Sequence, residues 1–179
     1  MSNTWFRMMA SEFKIRDFVK PRQEIIKEVD LRKGFQVLDY GCGPGGYILP
    51  VSEAIGARGK LYALDVMPLA LEMVEKIMDK KKLENVETIQ SDCDTGLPDE
   101  ELDVVLLFDV LHDLADQNGV LSELHRVLKP NGVLSFSDHH LKESEIISSV
   151  TTSGLFRLLR KNNQTYSFIK TEKRVNPQR

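Results

Sequence analysis

Two hydrophobic periods take turns along the chain. Short apolar runs with strand character recur at 35–39, 60–65, 86–90, 102–109 and 133–138, and the run at 102–109 is apolar almost throughout. Such continuity is expected of a strand buried on both faces of a parallel sheet. Between the runs, apolar residues fall at helical spacing. The first such set is Ile48, Val51 and Ile55, with Pro50 in the first turn, where backbone N–H groups have no intrahelical partners. The second is Ala70, Leu71, Val74, Ile77 and Met78, opened by Pro68 and closed by Lys80-Lys81-Lys82, a basic last turn that complements the helix dipole. The third is Val120, Leu121, Leu124 and Leu128, capped by Asp116 and stopped by Pro130. Asn131-Gly132 then turns into the fifth strand, and a short helix carries Ile146, Ile147 and Val150 up to Gly154.

The alternation breaks near the end. Two strand-like runs, 155–161 and 165–171, flank Asn162-Asn163-Gln164, which reads as an antiparallel hairpin. Strands that alternate with helices imply right-handed crossovers and a doubly wound, mostly parallel α/β sheet. Ligands of such sheets bind outside the carboxyl ends of the strands. Functional residues are therefore expected just after Asp39, Asp65, Gln90, Phe108 and Asp138. No repeat or linker divides residues 21–179, which read as one domain.

Composition narrows the classes of function. Lys and Arg total 24 against 27 Asp and Glu, a net charge of −3. Nucleic-acid binding driven by charge needs a basic excess, so DNA is not expected as a partner. No apolar run approaches the roughly 18 residues of a membrane span, and no signal peptide is visible at Met1. Cys42 and Cys93 are too few for a disulfide framework. The expected setting is the cytoplasm.

Candidate chemistry begins at 39–46, DYGCGPGG. Gly41, Gly43 and Gly46 fit G-x-G-x-x-G; Asp39, Gly41, Gly43 and Gly45 equally fit D-x-G-x-G-x-G. Glycines let the backbone pass close to a ligand, and the next helix offers free N–H groups. Asp65, 24 residues after Gly41, is placed to accept ribose hydroxyls, which suits NAD and other adenosine ligands alike. Asp92 stands at the third strand end, where a carboxylate can accept from the adenine amine. The Cys93 backbone could read a ring nitrogen, and Met67 offers an apolar surface to the base.

VLDYGCGPGG (37–46), LYALD (61–65), SDCD (91–94), LDVVLLFDVLHDL (102–114) and ELHRVLKPNGVLSFSD (123–138) resemble the consecutive motifs of the class I S-adenosylmethionine-dependent methyltransferases. A nicotinamide dehydrogenase would share Asp65 and the glycines but not the tract ending in LKPNG. The resemblance covers about residues 21–171. It implies a seven-stranded sheet with an antiparallel C-terminal strand, and S-adenosylmethionine as cofactor, released as S-adenosylhomocysteine. The cofactor-binding positions it implies are Asp39, Tyr40, Gly41, Gly43, Gly45, Asp65, Val66, Met67, Asp92, Cys93 and Phe108. Asp39 would orient the methionyl amino group, and Phe108 would wall the pocket near the sulfonium.

The expected activity is methyl transfer to a small-molecule acceptor. A cofactor-binding module without turnover, or a protein or RNA methyltransferase, is the alternative. His112 is the candidate general base; His139 and His140 stand beside Asp138 on the same edge. No metal-ligand spacing is present, so no metal is expected. The tract after the fourth strand, Phe108-Asp109-Val110-Leu111, lacks the Asp/Asn-Pro-Pro-aromatic pattern of many nucleic-acid amino methyltransferases. Residues 1–20 interleave Trp5, Phe6, Phe13 and Phe18 with basic residues. They read as a helix docked through its apolar side, with a lid over the site or a homodimer contact as its functional forms. As a lid, its deletion is expected to raise the cofactor dissociation constant and leave the fold intact; unchanged binding rejects it.

Overall fold

The computed structural model describes residues 22–171. The expectations for residues 1–20 lie outside that range. The elements are α1 (Arg22–Lys27), β1 (Gln36–Tyr40), α2 (Ile48–Ile55), β2 (Lys60–Asp65), α3 (Pro68–Lys81), β3 (Val86–Gln90), β4 (Leu102–Phe108), α4 (Gln117–Val127), β5 (Leu128–Ser137), α5 (Glu143–Thr151), β6 (Phe156–Lys161) and β7 (Tyr166–Lys170), with a 3₁₀ turn at Leu111–Asp113. Seven strands form one sheet in the order β3-β2-β1-β4-β5-β7-β6. The first five are parallel, and β7 inserts antiparallel between β5 and β6.

The order follows from what each strand can bury. Residues 104–107 of β4 are almost inaccessible, and β4 lies between β1 and β5 at the centre. One face of the sheet packs Phe136, Phe156 and Phe168 with Leu121 and Leu124 of α4 and Val150 of α5. The other packs Val37, Val104 and Leu106 with Ile48, Ile55 and Val74. Burial of each such side chain stabilises the fold by roughly 1.5–3 kcal/mol. The parallel β1–β4–β5 pairs bring the carboxyl ends of the strands to one edge. The Glu28 carboxylate accepts from the Gln164 and Thr165 backbone amides at 2.9 and 3.0 Å, tying the segment after α1 to the hairpin turn.

Several boundaries differ from those read in the sequence. α4 ends at Val127, so Leu128 is the first residue of β5 and not the last of the helical face. Leu128 is already extended (ψ 138°), two residues ahead of Pro130, and Lys129, directly before the proline, is barred from helical dihedrals in turn. Residues 129–132 then bulge, since β4 pairs Leu102 with Leu128 and next Val104 with Val133. Asp109 is not part of β4. It has φ +56°, a left-handed conformation that ends the strand and turns the chain at the ligand edge. Ile147 is half-buried rather than core. Asp116 caps α4 as expected, accepting from the Gly119 amide at 2.8 Å.

Candidate functional site

Two neighbouring cavities lie at the carboxyl ends of β1, β2 and β4. The larger, 420 Å³, is lined by Tyr40, Gly41, Asp65, Val66, Asp92 and Cys93, with Val110, Asp113 and Leu114 on the far side. The smaller, 60 Å³, is lined by Asp39, Gly41, Cys42, Gly43, Tyr47, Phe108 and Asp109, with Arg22 at its side. Gly41 borders both. Of the eleven positions implied for a cofactor, nine therefore line this pair of cavities; Gly45 and Met67 line neither. Larger hollows of 650 and 750 Å³ open at the base of β4–β5 and between α1 and α2. The strand-end pair is the candidate because open α/β sheets bind ligands there and because its polar groups converge.

The loop geometry explains the glycines. Gly41, Gly43 and Gly45 have φ of +74°, +51° and +83°, the left-handed region that glycine adopts without a steric penalty. A Cβ on Gly41 would lie 2.5 Å from Val110 Cγ2. A Cβ on Gly45 would lie 2.8 Å from Ile77 and 3.1 Å from Val74. Gly45 therefore seats the loop on α3 rather than facing the cavity. The loop is held from below by Asp65, whose two oxygens accept from the Gly43 amide (2.9 Å) and the Met67 amide (2.8 Å). Each oxygen keeps a second acceptor site for a ligand hydroxyl. Burial raises the Asp65 pKa, and the bonds from the Met67 and Gly43 amides oppose that rise.

Asp39 is the most informative group. Its side chain is 2 % exposed, and Oδ2 is buried without a hydrogen-bond partner. Desolvation pushes its pKa up to about 7; Arg22 counteracts this and Asp65 adds to it. A buried acceptor without a donor is costly, on the order of 1–3 kcal/mol, and here it opens onto a cavity. An ammonium group would satisfy it. The site therefore fits an adenosine ligand with a charged amino-acid tail: room for the nucleoside by Asp65 and Asp92, a glycine cradle, and an orphan carboxyl oxygen at the tail.

Asp92 and Cys93 both line the larger cavity. The Asp92 side chain is exposed, while its carbonyl accepts from the Tyr40 hydroxyl at 2.8 Å. That bond holds the β3 turn against the end of β1, and burial pushes the Tyr40 pKa up. The Cys93 amide donates to Ser91 Oγ at 3.2 Å, so it is already engaged. Val66, which is 55 % exposed, is the apolar residue of this turn that lines the cavity.

His112 lies beside the cavities and lines neither. Its Nδ1 is 2.7 Å from Asp138 Oδ2, and the Asp138 side chain is fully buried. The second Asp138 oxygen accepts from the His140 amide at 2.9 Å. A second acid–imidazole pair adjoins it: Asp109 Oδ1 lies 2.7 Å from His139 Nδ1 and accepts from the His139 amide at 3.0 Å. His140 stacks between the two, with ring centroids 4.5 Å from His112 and 3.8 Å from His139. Sequence spacing does not show that Asp138, 26 residues on, would hold His112; the parallel pairing of β4 and β5 creates that contact. Arg22 and Tyr47 are likewise absent from the motif-based set. Among the described residues no cluster of three or more His, Cys, Asp or Glu is arranged to hold a metal ion. No helix of the described residues is long and apolar enough to cross a membrane.

A model of the methyltransferase-domain family matches residues 31–176. The demethylmenaquinone methyltransferase of Geobacillus stearothermophilus is 32% identical over 123 residues, which is 68% of this chain and 53% of that protein. The chain thus spans about half the length of such relatives. A SAM-dependent methyltransferase from Aquifex aeolicus superposes with a TM-score of 0.75 at 26% identity, covering 87% of this chain and 97% of that one. The [4+2]-cyclase SpnF shares the fold (TM-score 0.67, 18% identity, 77% of this chain and 57% of that one), a likeness of fold alone. With its seven-stranded order and its glycine loop at the strand ends, the chain belongs to the methyltransferase-domain family.

Proposed function

We propose that the chain transfers a methyl group from S-adenosylmethionine to a small-molecule acceptor. The observation that carries this reading is the orphan Oδ2 of buried Asp39 in a cavity that shares Gly41 with the one lined by Asp65 and Asp92. Nicotinamide and flavin dinucleotides carry no ammonium to meet that oxygen. Relatives named for demethylmenaquinone favour a small acceptor over a macromolecule. Both cysteines are free thiols, in keeping with a reducing compartment such as the cytoplasm.

Bound S-adenosylmethionine supplies a methyl group already activated on a sulfonium. The protein's part is to orient the acceptor and exclude water, for which orientation alone supplies roughly 7–11 kcal/mol in favourable cases. Asp65 would take the ribose hydroxyls, Asp92 the adenine edge and Asp39 the ammonium, while Phe108 and Tyr47, packed edge to face at 5.1 Å, wall the tail. His112 would accept the acceptor's proton. Asp138, 2.7 Å from Nδ1, would hold the proton of the neutral ring there, and Nε2, 3.6 Å from Asp113 Oδ2, would be the atom that takes the proton.

The direct test measures S-adenosylhomocysteine formation with a panel of phenols, quinols, thiols and amines, alongside calorimetric binding of S-adenosylhomocysteine. Turnover with one acceptor class is expected. His112→Ala should lower that turnover by roughly 10²–10⁴-fold and leave S-adenosylhomocysteine binding unchanged; Asp138→Asn should do the same in smaller measure. Binding without turnover on any acceptor would make the chain a cofactor-binding module, and absent binding would reject the assignment.

A further inference from the structure

Two acid–imidazole pairs stand at the ligand edge, and the reading above uses one. Asp109 with His139 has no task in it. The pairs are built reciprocally. Asp138 follows β5 and holds His112, which follows β4. Asp109 follows β4 and holds His139, which follows β5, at 2.7 Å from Nδ1. The Asp109 amide donates to the Ser137 carbonyl at 2.7 Å, and its Oδ1 also accepts from the His139 amide. The acid is therefore fixed against the end of β5 by main chain and side chain together. Both acids take Nδ1, so both neutral rings offer the same atom, Nε2, as acceptor. The His140 ring separates them, its centroid 4.5 Å from His112 and 3.8 Å from His139. With a third ring between them, the two Nε2 atoms do not converge on one ligand atom. Asp109 borders the smaller cavity, which sets the second pair beside the cofactor site rather than remote from it.

We propose that the acceptor is a dihydroxy arene, and that His139, positioned by Asp109, receives the hydroxyl that is not methylated. This rests on the S-adenosylmethionine assignment and on His112 as base, and it names the acceptor class of that site. At the first hydroxyl, an oxygen electron pair forms the bond to the methyl carbon. The carbon–sulfur bond breaks with its pair left on sulfur, and the hydroxyl proton passes to His112 Nε2. At the second hydroxyl no bond breaks: it donates a hydrogen bond to His139 Nε2 and stays protonated. One base suffices for one proton, so a second imidazole, held apart by its own carboxylate, has a partner only in a ligand with a second donor. A planar ring with two hydroxyls supplies both donors at a fixed separation. A ring with one hydroxyl leaves His139 without that partner. Because the His139 side chain is 52 % exposed, water replaces the missing hydroxyl. Discrimination is then about tenfold, rather than the roughly 10⁴-fold of a fully buried polar site.

The test uses the full 179-residue chain with S-adenosylmethionine and three acceptors, hydroquinone, catechol and phenol, assayed without oxygen. Wild type should prefer one of the dihydroxy arenes to phenol by about tenfold or more in kcat/KM, beyond the factor of about two that two equivalent hydroxyls give by number alone. His139→Phe keeps a ring against His140 and removes both nitrogens; His139→Gln is the second variant should the stack be disturbed. In both, the preference should fall to about twofold, chiefly through a higher KM for the dihydroxy arene. His112→Ala should slow all three acceptors and keep the preference. Equal losses on dihydroxy arene and phenol in the His139 variants would make the pair a brace between β4 and β5 and overturn the proposal. An unchanged preference would overturn it too, as would a wild type that methylates neither dihydroxy arene. Calorimetry with S-adenosylhomocysteine separates the two levels. A wild-type chain that does not bind it removes the cofactor assignment itself, whereas binding with turnover confined to thiols or amines removes only the dihydroxy acceptor and the role of His139.

Discussion

Asp65→Ala should weaken S-adenosylhomocysteine binding by at least about tenfold, a loss of 1.4 kcal/mol or more. Two effects add. Hydrogen bonds from ligand hydroxyls to a carboxylate contribute roughly 1.5–3 kcal/mol each, and Asp65 stands at the end of β2 on the floor of the nucleoside cavity. The structure supplies the second effect. The same carboxylate accepts from the Gly43 and Met67 amides, so its removal strips the glycine loop of its anchor. Asp65→Asn separates the two: its amide oxygen replaces one acceptor, and its NH₂ cannot accept from either amide. Both variants should lose affinity for S-adenosylhomocysteine and for 5′-methylthioadenosine alike, since both probes carry the ribose. Calorimetry with the two probes checks it; affinity within about threefold of wild type would show that the ribose lies elsewhere.

The double role of Asp65 illustrates what was legible in the chain and what was not. The strand ends were legible because apolar runs stop at an acid, as in LYALD and VLLFD. The doubly wound, mostly parallel sheet followed from the alternation of elements, while the seven strands and the antiparallel C-terminal strand came from the family resemblance. Boundaries around Leu128 were not legible. The residue continues the helical period, and only the geometry before Pro130 takes it into β5. Contacts between strand ends were not legible either. His112 and Asp138 meet because β4 and β5 pair in parallel register, Phe108 against Ser137, and no local spacing encodes that. Arg22 lies outside every motif, and only the fold brings it beside Tyr47. The local bond from the Cys93 amide to Ser91 Oγ within the turn was not legible either.

Asp39→Asn should stabilise the ligand-free protein increasingly as pH rises. Burial lifts the Asp39 pKa from 3.8 to about 7. The native state therefore holds a proton that the unfolded chain releases, and between these two values stability falls with rising pH. The cost is largest above pH 7 and amounts to at most about 4 kcal/mol at ~1.4 kcal/mol per unit. An asparagine carries no charge to bury, so its advantage over wild type should widen by roughly 2–3 kcal/mol from pH 5 to pH 8, on the order of 5–10 °C in Tm. The neighbours set the balance: Arg22 opposes the shift, and Asp65 increases it. Ligand binding reverses the preference. An ammonium beside Oδ2 favours the ionised carboxyl, so S-adenosylhomocysteine binding near pH 6 should release close to one proton. Calorimetry in two buffers of different ionisation enthalpy measures that number. In Asp39→Asn the release should vanish and affinity should fall by about tenfold or more, since a charge-assisted pair is replaced by a neutral amide. 5′-Methylthioadenosine, which has no ammonium, should release no proton from either protein. Wild-type binding of S-adenosylhomocysteine without proton release would mean that the tail does not reach Asp39, and the orphan oxygen would then be a strained feature of the fold rather than a ligand group.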